Sequence, residues 1–338
     1  MKMSNTKKYL LIALALVVII VLIVVFSSSS KQTPKPVTTS LEQVTDTLAQ
    51  KPQTADGHIY FIDQSGFLSS VNLVSKEVKI IYQTSGEILD YYFSPDGKKA
   101  IVAESVNDQS TNIVVNVETS QKSKSEDCFA EAIAFISTDQ IIANCVSQTF
   151  EYDPNTINSI VLSDPNGYGQ RKIIDLNFDP LKKIVSANES EAVTLTNNSG
   201  FGENDLYRLD LTTKSLNKIT NDGFILDARF VEEGKYLFLS KRGEKAGKVF
   251  LYDETSSQST ELGEGESLQE FSYFDQKLIK FSQSGNRKSI VVSALDNPSL
   301  VLETYSLPNQ IESINGLFLV DNNAYVVSDQ GILKIPNI

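Results

Sequence analysis

From residue 57 onward the chain is built of short apolar runs separated by turns, with almost no helical periodicity. One pattern recurs: a few apolar residues, one small polar residue, then a turn. It is seen in Ser70-Val71-Asn72-Leu73, Val114-Val115-Asn116-Val117, Val161-Leu162-Ser163-Asp164, Arg208-Leu209-Asp210-Leu211, Leu251-Tyr252-Asp253-Glu254 and Val291-Val292-Ser293-Ala294. A weaker seventh copy is Lys334-Ile335-Pro336-Asn337. The polar positions, 72, 116, 163, 210, 253, 293 and 336, are spaced by 44, 47, 47, 43, 40 and 43 residues. A period of this length in a chain of strands predicts propeller blades, each a four-stranded antiparallel sheet. A β-sandwich also repeats its strands at short intervals, but it gives no reason for so long a period.

A second series marks the innermost strands: Tyr91-Tyr92-Phe93, Ile133-Ala134-Phe135, Ala228-Arg229-Phe230, Phe271-Ser272-Tyr273 and Leu317-Phe318. Lys183-Ile184-Val185 fills the gap less clearly. Ser94-Pro95-Asp96-Gly97 and Glu232-Glu233-Gly234 follow two of them and suit tight turns, because glycine tolerates positive φ. Seven third strands predict an all-β, seven-bladed propeller. Only six innermost strands are visible, so six blades is the alternative. The last blade lacks residues for a fourth strand, which the segment before residue 57 can lend to close the ring.

The stretch Phe93-Ser94-Pro95-Asp96-Gly97-Lys98-Lys99 resembles the marker of the TolB-like, WD40-like beta-propeller repeat. Phe230-Val231-Glu232-Glu233-Gly234-Lys235-Tyr236 is a partial second match. Residues 205–212 with 218–223 are similar to the third and fourth strands of the same repeat. Blade three departs from it, with Ser137-Thr138-Asp139-Gln140 at the marker. The resemblance implies a propeller in or facing a cell envelope, usually a binding module, and it carries over no catalytic residue.

Ahead of the repeats, an uncharged apolar run begins at Tyr9 and ends at Phe26 (YLLIALALVVIIVLIVVF). As a helix it spans roughly 27 Å, enough for a bilayer core. Lys2, Lys7 and Lys8 precede it, which predicts a cytoplasmic N-terminus (residues 1–8) and export of the rest. The run is longer than a signal-peptide core and ends in serines rather than a small-residue cleavage site, favouring an uncleaved anchor. Residues 27–56 are rich in Ser, Thr, Gln and Pro and read as a tether, with a short helix offered by residues 41–48. The propeller is then residues 57–338, exposed outside a single-pass cell-membrane anchor.

Composition narrows the chemistry. A net charge of −12 argues against nucleic acid as a partner. One histidine, His58, excludes a site with two histidine ligands, and two cysteines fit no zinc site. No cofactor and no metal centre is expected. Cys128 and Cys145 end strands at one face, and an oxidising exterior permits a disulfide between them; two buried free thiols are the alternative.

The loops from second to third strands share a face with the connections between blades. Two are long: residues 147–158, with Phe150 and Tyr152, and residues 196–205, with Phe201. Exposed aromatic rings suit binding hot spots, unless they fold onto the blade tops. The matching loop of blade five carries Lys241, Arg242 and Lys245, a basic patch suited to an acidic partner or an anionic envelope polymer. Its alternative is a solvated hairpin tip. Together these features predict a non-enzymatic binding or scaffold module for an envelope protein or polymer. A metal-dependent lactonase or polysaccharide hydrolase or lyase is the rival, with Glu131, Asp227 and Glu270, which precede or lie in innermost strands, as the carboxylates that could point to the channel mouth. A structural subunit of an envelope complex is the third reading.

Overall fold

The computed structural model describes residues 41–125, 130–146, 158–176, 181–197, 204–241, 243–274, 276–295 and 297–338. All fall in one compact unit, Val37–Ile338. The expected anchor, residues 9–26, lies outside the described residues. Among the described residues no helix is long and apolar enough to cross a membrane.

The chain first lays down β1 (Glu42–Thr45) and then six sheets in succession. Blade 1 is β2 (Gln50–Ala55), β3 (His58–Ile62), β4 (Leu68–Asn72) and β5 (Val78–Tyr82). Blade 2 is β6 (Glu87–Phe93), β7 (Lys99–Val106), β8 (Gln109–Asn116) and β9 (Lys122–Lys124). Blade 3 is β10 (Ala130–Ser137), β11 (Gln140–Val146), β12 (Asn158–Ser163) and β13 (Arg171–Leu176). Blade 4 is β14 (Lys183–Ala187), β15 (Glu191–Asn197), β16 (Asn204–Asp210) and β17 (Leu216–Lys218). Blade 5 is β18 (Ile225–Glu232), β19 (Lys235–Ser240), β20 (Lys248–Asp253) and β21 (Gln258–Glu264). Blade 6 is β22 (Phe271–Phe274), β23 (Lys277–Ser284), β24 (Arg287–Ala294) and β25 (Val301–Ser306). Blade 7 combines β26 (Ile314–Val320), β27 (Asn323–Ser328) and β28 (Gly331–Ile335) with β1 as its outer strand. The ring therefore has seven blades, and a strand from before residue 57 closes it.

Two expectations change here. Residues 42–45 and 50–55 are strands of the propeller, although the composition of 27–56 reads as a tether. The short helix offered over 41–48 is replaced in part by β1, which pairs antiparallel with β28 through Glu42–Lys334, Gln43–Leu333 and Thr45–Ile332. The physical reason is tertiary: β28 presents an unpaired edge, and Val44 and Ala49 bury their side chains on closing it. β2 is the innermost strand the sequence hides. Its Pro52 lacks an N–H, and the ladder to β3 shifts register between Gln50 and Gln53, so no hydrogen bond is asked of the proline.

The recurring polar residue has a definite role. Asn72, Asn116, Asp210 and Asp253 end the third strands, and each side-chain oxygen accepts an N–H two or three residues on, from Val74, Thr119, Thr212 and Thr255 respectively. Four residues after each, Lys76, Ser120, Lys214 and Ser257 sit at φ between 53° and 62°, completing the same turn in four blades.

Both faces of each sheet are covered, which is why the second strands read as unbroken apolar runs. Ala100 and Val102 of β7 face blade 1 beside Tyr60 and Leu68, while Ile101 faces blade 3 beside Ile133 and Ile141. The same arrangement gives seven seams, one per neighbouring pair, the last joining Val327 and Ile332 of blade 7 to Ile59 and Val71 of blade 1. Burying one such side chain contributes roughly 1.5–3 kcal/mol, so the seams supply most of the stabilisation.

Candidate functional site

The innermost strands surround an axial channel of about 850 Å³, lined by blades 1 to 5 and blade 7 and by Ser267 and Gln269 of the connection that enters blade 6. Its wall is tied together from blade to blade by side chains of these strands. Gln53 Nε2 donates to Tyr91 O at 2.8 Å, and the Tyr91 hydroxyl donates to Lys51 O and, at 3.0 Å, to Tyr60 O. Lys51 Nζ donates to Leu89 O, so blades 1 and 2 are joined in both directions. Lys183 Nζ lies 2.8 Å from Asp227 Oδ1, joining blades 4 and 5. Arg229 donates to Phe271 O, joining blades 5 and 6. Asn315 Nδ2 donates to Ala49 O at 2.8 Å, holding the start of blade 1 against blade 7.

The lining is basic although the protein is acidic. Lys51, Lys182, Lys183 and Arg229 face the channel, against Asp90 as the one acidic residue of the described lining. Asp90 accepts the N–H of Tyr91 at 2.8 Å and the hydroxyl of Tyr92 at 3.1 Å. Burial beside the Asp90 charge pushes the Tyr92 phenol far above its ordinary range, so it remains a neutral donor. Burial also brings the Arg229 guanidinium down to about 10, opposed by the Asp227 carboxylate, and leaves it charged at neutral pH.

Residues 150, 152, 201 and 242, where the sequence reading puts Phe150, Tyr152, Phe201 and Arg242, lie outside the described residues. Lys241 is exposed beside the second-to-third-strand turn of blade 5. Lys245, in the same loop, pairs with buried Asp222 at 3.0 Å and sits 5.5 Å from the centroid of the Phe250 ring. Its charge is thus committed within the blade. Cys145, buried on β11, is a half-cystine, and Cys128 lies outside the described residues. His58 contacts Asp56 O at 2.7 Å and Asn72 Nδ2 at 3.1 Å, which fits the tautomer protonated on Nδ1 and holds a turn of blade 1.

Of the carboxylates of the enzyme reading, Asp227 and Glu270 have described side chains, and each has its own partners. Asp227 is held by Lys183 and by the N–H of Ala228 at 2.8 Å. Glu270 sits beside the N–H of Glu266 at 3.4 Å and is absent from the channel lining; burial raises its carboxyl above the ordinary range. The side chain of Glu131 lies outside the described set. Among the described residues no group of three His, Cys, Asp or Glu side chains is placed to hold a metal ion.

The sequence does not mark the channel set as a site. Lys183 and Arg229 appear in it only as strand markers, and Lys51 falls in the expected tether. The available signal was a cation inside an otherwise apolar innermost strand, as in Ala228-Arg229-Phe230.

No family model matches the chain, and no curated protein matches it. Solved structures do match in fold. An oligogalacturonate lyase in complex with manganese superposes with a TM-score of 0.57 at 10% identity, over 75% of this chain and 79% of that one. A prolyl endopeptidase gives 0.56 at 15% identity, over 85% of this chain and 47% of that one. TolB from Acinetobacter baumannii gives 0.50 at 13% identity, over 77% of this chain and 64% of that one. At these identities the likeness is one of fold: a TolB-like β-propeller, found in an enzyme and in TolB alike.

Proposed function

We propose that the protein is a non-enzymatic binding module, a propeller held at a cell membrane by the apolar run from Tyr9 to Phe26 and presented outside the membrane to an envelope protein or polymer. The observation that carries this reading is the channel. Six blades and the connection into the remaining one line one concave site, and among the described residues its ionic groups brace neighbouring blades instead of forming the closely spaced carboxylates that acid–base hydrolysis of a sugar chain requires. Rigid blades with unequal loops on one face provide a surface suited to selective binding. The anchor and the direction of export follow from the length of the apolar run and the lysines before it.

The test is crosslinking in intact cells followed by capture of the full-length chain. A discrete protein or envelope polymer joined to the propeller is the expected result. Turnover of a polyuronate by the purified chain, lost on Asp227→Asn, would replace this reading with the enzyme one. A protease-protection assay on sealed membranes tests the topology: the propeller is expected to be cleaved only from the outer side.

A further inference from the structure

We propose that the mouth of the axial channel binds a ligand bearing at least two oxyanion groups, gripped between Lys51 on one wall and Lys182, Lys183 and Arg229 on the other. This inference rests on the binding-module reading and names the chemistry of its ligand.

The placement follows from topology. Every innermost strand from blade 2 onward enters after the connection from the preceding blade, so the first residues of these strands lie at one face, the face that also carries the second-to-third-strand loops. Lys51 is the second residue of β2, Lys183 the first of β14, and Lys182 directly precedes it. Blades 1 and 4 are three apart in a ring of seven, the greatest separation such a ring allows. The lysines therefore stand on opposite sides of one opening. Arg229, the fifth residue of β18, lies deeper in the adjoining blade. All four side chains line the same cavity.

The charge balance has one sign. Asp90 lines the channel and Asp227 touches Lys183, so four cations meet two carboxylates. Both described acids are already engaged, Asp90 by a backbone N–H and a phenol, Asp227 by Lys183 and a backbone N–H. Lys182 carries a charge that no described carboxylate neutralises within salt-bridge distance. In a protein of net charge −12, a cation-rich cavity with low-dielectric walls concentrates anions that the rest of the surface repels. A monovalent anion meets only one wall; an anion with two or more charged groups meets both. Lysines and an arginine recognise carboxylate and phosphate alike, so the shared chemistry is a multivalent oxyanion.

The experiment uses the full chain in detergent micelles, with tricarballylate and tripolyphosphate as probes, in calorimetric titrations at low and at 0.3 M salt. Saturable binding by at least one probe is expected, weakening as salt rises. Lys51→Ala with Lys182→Ala is expected to weaken it about tenfold or more, from the loss of two positive charges at the channel mouth. Lys98→Ala with Lys214→Ala removes the same charge from turns outside the channel lining and is expected to leave binding unchanged. Matching thermal melts of the two double variants exclude a folding defect. Binding of tripolyphosphate alone assigns a phosphate source, and of tricarballylate alone a carboxylate source. No binding of either probe at millimolar concentration, or equal loss in both double variants, would overturn the inference. A partner captured in cells without anion binding overturns this inference and leaves the binding-module reading standing; the reverse pair of results does the opposite.

Discussion

Replacing Gly331 with alanine separates the closing strand from every other feature of the fold. Gly331 opens β28 at φ +101°, a conformation that side chains other than glycine rarely adopt. A Cβ there would stand 2.2 Å from Thr45 O and 2.8 Å from Asp46 Cα, both backbone atoms at the end of β1. Two costs add. Holding alanine at positive φ costs roughly 1–2 kcal/mol, and forcing β1 off its seat costs roughly 1–3 kcal/mol, as overpacking does elsewhere. The sum is about 2–5 kcal/mol. Gly66 is the matched control: its φ is +77° and its Cβ would meet nothing within 4 Å, so Gly66→Ala carries only the backbone cost. In a domain of this size 1 kcal/mol moves Tm by about 2–4 °C. Gly331→Ala is therefore expected to melt several degrees below Gly66→Ala in calorimetry. Limited proteolysis is expected to release the segment before Ala49 faster from Gly331→Ala than from Gly66→Ala. Equal melting temperatures and equal cleavage would show that β1 does not pack against β28, and the closure argument would fail.

Three further outcomes follow from the turns and the half-cystine. Asn116→Ala removes the acceptor for Thr119 N–H at 2.8 Å and is expected to cost about 1 kcal/mol, read as a lower urea midpoint at unchanged slope; no change would deny the repeated polar residue its role. The Asp210 carboxyl is held below its ordinary range by the N–H groups of Thr213 and Thr212. Its contribution is full above the unfolded value near pH 4 and is lost as pH falls through the lowered folded value, so Asp210→Asn should flatten the acid side of the stability curve; a steeper acid side would reverse the sign of this argument. Thiol titration of the denatured, unreduced protein is expected to find no free thiol. Reduction is then expected to cost up to roughly 3 kcal/mol if Cys145 closes a short loop to Cys128. Two titratable thiols would remove the bond.

The third strands were legible because their ends obey a local rule. A turn that needs a side-chain acceptor takes Asn or Asp at one position, and Asn72, Asn116, Asp210 and Asp253 announce it without help from the rest of the fold. The marked innermost strands were legible because each sets an apolar residue into a seam between blades: Tyr91, Ile133, Ala228, Phe271 and Leu317. β1 and β2 were not. Gln50-Lys51-Pro52-Gln53-Thr54-Ala55 has no apolar alternation, since its ladder bulges at the proline and part of its surface faces the channel. Glu42-Gln43-Val44-Thr45 buries one apolar residue and becomes a strand only because β28 lies beside it. The channel cations stayed hidden for the same reason. Lys51 belongs to a strand the sequence disguises, and the pairing of Lys183 with Asp227 joins residues 44 positions apart. The loop rings at 150, 152 and 201, by contrast, could be read as binding candidates from composition alone.

The channel and its rim exist only if the N-terminal strand closes the ring, and native ion pairs provide a direct test. Glu42 Oε1 lies 2.6 Å from Lys76 Nζ of blade 1, and Glu42 Oε2 lies 3.9 Å from Lys334 Nζ of β28. The Lys76 hydrogen bond and charge hold the Glu42 carboxyl below its ordinary range. Zero-length crosslinking of the full-length protein, followed by peptide mass spectrometry, should join Glu42 to Lys76 and to Lys334 alongside the blade 2–blade 3 pair Lys99 and Asp139, 2.6 Å apart. Recovery of the Lys99–Asp139 link with Glu42 joined to neither lysine would contradict a ring closed in this way.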